Sequence, residues 1–215
     1  MIDFPSVSSE IHPKATQLIP VVESERETKV ATVLEIRFVS SNEYKITEAV
    51  QIFEPHAIRV IGAPVKIEEL QTTDTRRLVR DKVLKAFAQI GRPLFVEHTG
   101  LYLDYLGGLP GGLTQIVWDT LQADRFAELF GTPQMAKART TIAYCDGMNI
   151  YHFEGEVEGQ IVSTPRGPRD FQWDCVFQPT GQKSTFAEMG DKKNEISMRR
   201  VALDNFATHL SKEHA

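Results

Sequence analysis

A chain of 215 residues, 41% hydrophobic with a mean hydropathy of −0.25, is long enough to bury the core of one globular domain. Its net charge of −5 and pI near 5.7 argue against a general nucleic-acid binder, which needs a basic surface, so any phosphate it holds must meet a local cluster of Lys and Arg. No apolar run approaches the roughly 20 residues that span a bilayer, so no membrane partner is expected. Cys145 and Cys175 stand far apart outside any CxxC pattern, which points to neither a zinc site nor a disulfide framework and fits a reducing cytoplasm.

Residues 1–33 read as an N-terminal extension to a domain over 34–215. They hold Pro5, Pro13 and Pro20 and an acidic patch at Glu23, Glu25 and Glu27, and lack the basic start and apolar core of a signal peptide. Such a segment is either plain surface or a docking arm for a partner. Thr32 to Val39 then reads as a strand that stops at Ser40-Ser41-Asn42. Ile46, Ala49, Val50 and Phe53 follow with the spacing of one helix face. A strand, a polar turn and a helix place free backbone N–H groups beside the turn, a ready anion site, with Lys45 one turn in.

Ile58 to Ile67 predicts a second strand leading to Glu68 and Glu69. From Asp74, a helix N-cap, the positions Val79, Val83, Ala86, Phe87 and Ile90 keep helical spacing up to Gly91-Arg92-Pro93. The next strand, beginning at Leu94, is expected to run out into a cleft at Glu97 and His98. Gly100, Gly107, Gly108, Gly111 and Gly112 are expected to let backbone come close to a ligand. Ile116 to Phe130 is helical, with a break near Asp124. Thr140 to Tyr144 and Ile150 to Val162 form a hairpin around Asp146-Gly147. A last helix starts near Asn194 and buries Leu203, Phe206, Ala207 and Leu210. Strand-helix alternation followed by a hairpin implies an α/β fold with a mixed central β-sheet flanked by helices.

Neither GxxxxGK[ST] nor a strand followed by GxGxxG occurs. The polar residues that remain form a dispersed set: Ser40-Ser-Asn-Glu-Tyr-Lys45, Glu69, Lys82, Glu97-His-Thr-Gly100, Pro165-Arg-Gly167, Asp170-Phe-Gln-Trp-Asp174, Thr185-Phe-Ala-Glu188 and Lys193-Asn-Glu-Ile-Ser-Met-Arg199. In order and spacing this set resembles the inosine triphosphate pyrophosphatase family, over about residues 34 to 210. The resemblance implies two lobes with a nucleotide-binding cleft between them. It also implies hydrolysis of ITP, dITP and XTP to the monophosphate and pyrophosphate, with Mg²⁺, or Mn²⁺ in its place, as cofactor.

Ser40, Asn42 and Lys45 match the family's T/S-x-N-x-x-K, which would hold the triphosphate by hydrogen bonds and charge. Glu69 and Glu97 match acidic residues that hold the metal, a hard cation suited to carboxylate oxygens. Lys82, on the exposed face of its helix, is otherwise a solvated lysine; the resemblance makes it a phosphate contact, and Thr99 lies beside it in the substrate site. Phe171-Gln172-Trp173-Asp174 resembles F-G-[WY]-D, whose aromatic ring stacks on the base and whose Asp positions the nucleotide. Ordinary core packing remains the other reading of Phe171 and Trp173.

Two departures stand out. The family's second acidic residue after Glu97 is His98 here, and its S-H-R appears as Ser197-Met198-Arg199, with Lys193 retained upstream. His98 leaves three readings open. It is a general base with an ordinary pKa near 6.5 that conserves hydrolysis, a mark of lost hydrolysis, or a structural hydrogen-bond donor. Met198 cannot donate the hydrogen bond of the family's His, which relaxes base selectivity unless Gln172 or backbone groups compensate. The resemblance implies a homodimer. Loss of catalysis with retained binding would instead make the protein a dITP/ITP sensor for an effector protein, for example in antiviral defence.

Overall fold

The computed structural model describes Met1 and residues 33–131 and 135–213. The N-terminal extension expected over residues 1–33, and the docking arm read into it, therefore lie outside the described residues apart from the two end positions. The remaining body alternates β1 (Leu34–Val39), α1 (Glu43–Phe53), β2 (Ile58–Ala63), α2 (Thr75–Ile90), β3 (Leu94–Leu103) and α3 (Thr114–Phe130). It continues with β4 (Met135–Cys145), β5 (Ile150–Ile161), β6 (Phe177–Pro179), the short α4 (Phe186–Met189) and α5 (Met198–Glu213). These build one mixed sheet in the order β2-β1-β3-β4-β5-β6. The α/β class expected from the sequence holds.

The caps follow the local chemistry. The Asn42 side chain accepts from the Lys45 backbone N–H at 3.2 Å to start α1, and Asp74 accepts from that of Arg77 at 3.0 Å to start α2. Both apolar stripes then meet the sheet from opposite sides. α1 and α5 bury Ala49, Ile52, Phe53, Phe206 and Leu210 against Phe38 and Phe95. α2 buries Leu78, Val79, Val83 and Ala86 against Val39, Leu94 and Val96. The stripe of α1 is turned from the expected one, because Ile52 is buried while Val50 is 44% exposed.

β1 is parallel to both of its neighbours, and its pairing with β3 covers only Arg37↔Leu94 and Phe38↔Phe95. Chain order thus reverses at β1, the switch point where α/β sheets open a crevice beyond the carboxyl ends of their strands. β3 meanwhile continues to Leu103, paired with β4 through Leu103↔Ala136. Glu97 and His98 are accordingly mid-strand residues, not a strand tip as the sequence suggested. What brings His98 to a cleft is the departure of β1 from this flank, while Glu97 stays buried behind it.

Three other expectations shift. β2 stops at Ala63 and leaves residues 64–74 irregular; the helical break in α3 falls at Gln122, with φ 56°; and α5 starts at Met198 after a 3₁₀ turn over Gly190–Glu195. Two of the expected ligand-facing glycines serve close packing within the protein instead. A Cβ on Gly100 would sit 2.4 Å from the Gly111 carbonyl oxygen, and one on Gly112 would sit 2.2 Å from that of Thr72, so both glycines let backbones cross closely. No helix among the described residues is long and apolar enough to cross a membrane.

Candidate active site

Period-two alternation along β3 sends neighbouring side chains to opposite faces. Glu97 follows Phe95 onto the α1/α5 side, where Lys45 Nζ reaches its Oε1 at 2.6 Å and Arg199 Nε donates to its Oε2 at 3.0 Å. The Thr99 hydroxyl donates to the same carboxylate at 3.1 Å. His98 points the other way, its Nδ1 3.8 Å from Glu69 Oε2, and Lys82 is paired with Glu69 while also reaching the Glu97 carbonyl oxygen at 3.3 Å. Lys82 is therefore only 13% exposed and faces the cleft, not the exposed helix face on which it would be merely a solvated lysine.

Two cavities adjoin here. One, of about 410 Å³, is walled by Ser40, Asn42, Lys45, Glu69, Lys82, His98 and Thr99 together with Gln115 and Gln172. The other, of about 380 Å³, is bounded by Tyr44, Glu48, Phe171, Asp174, Phe186 and Lys193. Tyr44 and Phe171 meet edge to face at 5.7 Å between ring centres. The Lys193 ammonium stands 4.2 Å over the Phe171 ring, a cation–π contact. Most of the sequence-predicted residues line these cavities, and Glu97 and Arg199 stand behind the walls, tied to Lys45 and Glu48 by ion pairs; two others lie apart. Trp173 is buried in the core against Phe177, and Met198 is buried in the same apolar cluster; neither lines a cavity, so their expected place in the substrate site is corrected.

Glu48, which sequence reasoning missed, joins the two halves. It pairs with Arg199 and accepts Lys193 at 2.8 Å, and Lys193 in turn reaches Asp174 Oδ2 at 2.7 Å. The signal was present in the sequence: Glu48 follows Lys45 by three residues, hence on the same face of α1. Lys45, Glu97, Arg199, Glu48, Lys193 and Asp174 thus form one continuous chain of ion pairs, and the Lys82–Glu69 pair joins it through the Glu97 carbonyl oxygen. Asp174 Oδ1 is buried with no hydrogen-bond partner, an acceptor left for something that enters.

Burial sets the electrostatics. It lowers the Lys45 pKa despite the Glu97 carboxylate alongside, lowers that of Arg199 to about 9 and raises that of Asp174 against the pull of Lys193. For Glu69, burial raises the pKa but Lys82 outweighs it, and the net shift is downward. His98 is held down to about 4, first by burial and then by the Lys45 charge. The expectation of an imidazole titrating near neutrality is therefore corrected: His98 is neutral at pH 7.

This has a sign that can be checked. Because the folded pKa lies below the ordinary 6.5, the unfolded chain takes up a proton between pH 6.5 and about 4 that the folded chain refuses, and stability falls as pH drops through that window. In nucleotide-free protein with a chelator, His98→Asn should remove roughly 3 kcal/mol of this acid destabilisation. Melting temperature followed against pH should flatten between 6.5 and 4; a slope unchanged from the native protein would refute the buried neutral imidazole.

The sequence profile of the Ham1 family matches residues 36–209. This chain belongs to the Ham1 family. Similar proteins include the dITP/XTP pyrophosphatase of Thermococcus kodakarensis, 36% identical over 82% of this chain and 97% of that protein. The inosine triphosphate pyrophosphatase of Candida glabrata is 35% identical over 82% and 97%. A Ham1 protein from Coxiella burnetii superposes with a TM-score of 0.69 at 25% identity, covering 83% of this chain and 99% of that one. The Ham1 match spans nearly the whole described body, so both cavities and every residue of the ion-pair chain lie inside it.

Proposed function

We propose that the protein hydrolyses deaminated purine nucleoside triphosphates, ITP, dITP and XTP, to the monophosphate and pyrophosphate. The observation that carries this is the adjacency of a cavity walled by Lys45 and Lys82 to one that offers Phe171 with a paired donor and acceptor, Lys193 and Asp174. A 6-oxopurine presents an acceptor at O6 and a donor at N1, which that pair can answer; adenine presents the reverse polarity. The names of the relatives support the same substrate class.

In this reading Ser40, Asn42, Lys45 and Lys82 hold the triphosphate, and Phe171 stacks on the base, a contact tolerant of base identity. Arg199 and Glu97 position Lys45 and Lys193 through the ion-pair chain rather than touching the reacting bond. Among the described residues no group of three or more candidate ligands is gathered to hold a metal, and both Glu97 oxygens face cations. Glu69 keeps Oε2 clear of Lys82, a hard donor that fits magnesium arriving on the substrate's phosphates. The ion, when bound, offsets the charge that builds on the phosphate oxygens. Water then attacks the α-phosphorus, the bond from that phosphorus to the α–β bridging oxygen breaks, and pyrophosphate leaves; the proton lost by the water goes to the neutral His98 imidazole beside Glu69.

With a pKa of about 4, His98 is no stronger a base than an aspartate, whose ordinary pKa is about 3.9. What the histidine changes is charge. The homodimer implied by the resemblance belongs to the same reading. Neither an effector partner nor an antiviral role draws support from the relatives or from the described residues.

Pyrophosphate release across ITP, dITP, XTP and the four common deoxynucleotides is the test. The deaminated purines should be preferred over dATP by about a hundredfold or more, and Asp174→Asn should lower kcat/KM for ITP by about ten- to a hundredfold, the scale of one charged hydrogen bond. Equal turnover of dATP and dITP would remove the base assignment.

A further inference from the structure

Phe171 and Gln172 are consecutive yet line different cavities, as are Tyr44 and Lys45. On the function proposed above, a nucleotide with its base against Phe171 and its phosphates at Lys45 must carry its pentose across this seam, past the Gln172 side chain. That side chain stands on a strained backbone, φ 42°, in the left-handed region where glycine is at ease and other residues are not.

Its amide is held in one orientation. Gln172 Nε2 donates to Gln115 Oε1 at 2.5 Å, and Gln115 Nε2 donates to Asp119 Oδ1 at 2.7 Å, one turn further along α3. A carboxylate only accepts, so Gln115 must turn its NH₂ to Asp119 and its oxygen to Gln172, and Gln172 must answer with its own NH₂. The relay thereby leaves Gln172 Oε1 as an acceptor with no hydrogen-bond partner among the described residues. An uncharged acceptor is the wrong group for phosphate oxygens, which are acceptors themselves, and the right one for a hydroxyl.

We propose that Gln172 Oε1 accepts a hydrogen bond from a pentose hydroxyl of the nucleotide, making Gln172 a specificity-determining residue and Gln115 a positioning residue that aims it. The experiment compares kcat/KM for ITP, dITP and 2′,3′-dideoxy-ITP in the native protein, Gln172→Gly and Gln115→Ala, with melting temperatures beside them. The native protein should disfavour the dideoxy compound by on the order of tenfold, one hydrogen bond's worth, and both variants should bring that ratio close to one. A drop already at dITP assigns the 2′-hydroxyl, and a drop only at the dideoxy compound the 3′-hydroxyl. Gln172→Gly relieves the positive φ, so it should melt no lower than the native protein. An unchanged ratio in Gln172→Gly overturns the inference and leaves the proposed function standing; failure of the native protein to release pyrophosphate from any of the three overturns both.

Discussion

Glu97→Ala is expected to cost about 3 to 5 kcal/mol of stability, roughly 10 °C in melting temperature for a domain of this size, together with loss of measurable turnover. The reason is the position of this carboxylate. Glu97 is 2% exposed, and Lys45 at 15% and Arg199 at 2% depend on its two oxygens. Truncation would leave buried cations with a partner gone, which costs far more than the pair contributes when intact. Glu97→Gln keeps an acceptor for Thr99 and Arg199 and should lose less stability, yet it removes the charge that sets Lys45 and should still lower turnover. Thermal denaturation and pyrophosphate release on the two variants give the answer. If Glu97→Ala melts within 2 or 3 °C of the native protein, the ion-pair chain is not what holds this wall.

His98→Asp is expected to raise turnover by about tenfold or more at limiting Mg²⁺ and to lower the Mg²⁺ concentration needed for half-maximal rate. A carboxylate here would add one negative charge next to Glu69 where the native imidazole is neutral, and Mg²⁺ takes oxygen donors in preference to nitrogen. The new charge would face Lys45 and Lys82, the cations that now depress His98, so the variant should fold. Titrating pyrophosphate release against Mg²⁺ separates the outcomes. A native protein that binds dITP without turnover, with a variant that turns over, would make the native chain a binding protein; an unchanged Mg²⁺ dependence would remove Glu69 and His98 from the metal's surroundings.

Much of this architecture was legible in the sequence because local chemistry and tertiary packing agree. Asn42 and Asp74 cap their helices where the polar turns predict, and Asp146-Gly147 turns the β4–β5 hairpin with Gly147 at φ 109°. The misses come from contacts that no short window contains. Glu97 and His98 looked like a strand tip because polar residues interrupt an apolar run; β4 carries the strand onward and β1 leaves it, and both facts depend on distant segments. Lys82 looked solvated because its helix is polar around it, yet Glu69, thirteen residues earlier, turns it inward. Trp173 and Met198 occupy motif positions but face the core, since Phe177 and the α3 cluster claim their side chains. Glu48 was passed over because a lone acid on an amphipathic helix resembles any solvated residue until Arg199 and Lys193 arrive from the far end of the chain.

The pairing of Lys45, Lys82, Lys193 and Arg199 with four carboxylates bears on how fast a turnover can finish. A pocket of bare cations would grip pyrophosphate as firmly as it gripped the triphosphate, and the cycle would stall on its own product. On the proposed function, Lys45 and Lys82, the cations assigned to the phosphates, each have a resident carboxylate to return to, Glu97 and Glu69, so these acids would compete with the departing anion and hasten its exit. The same neutrality leaves little long-range pull on anions in the surrounding solution. Capture of substrate should therefore vary weakly with ionic strength, and small anions such as sulfate should be poor inhibitors.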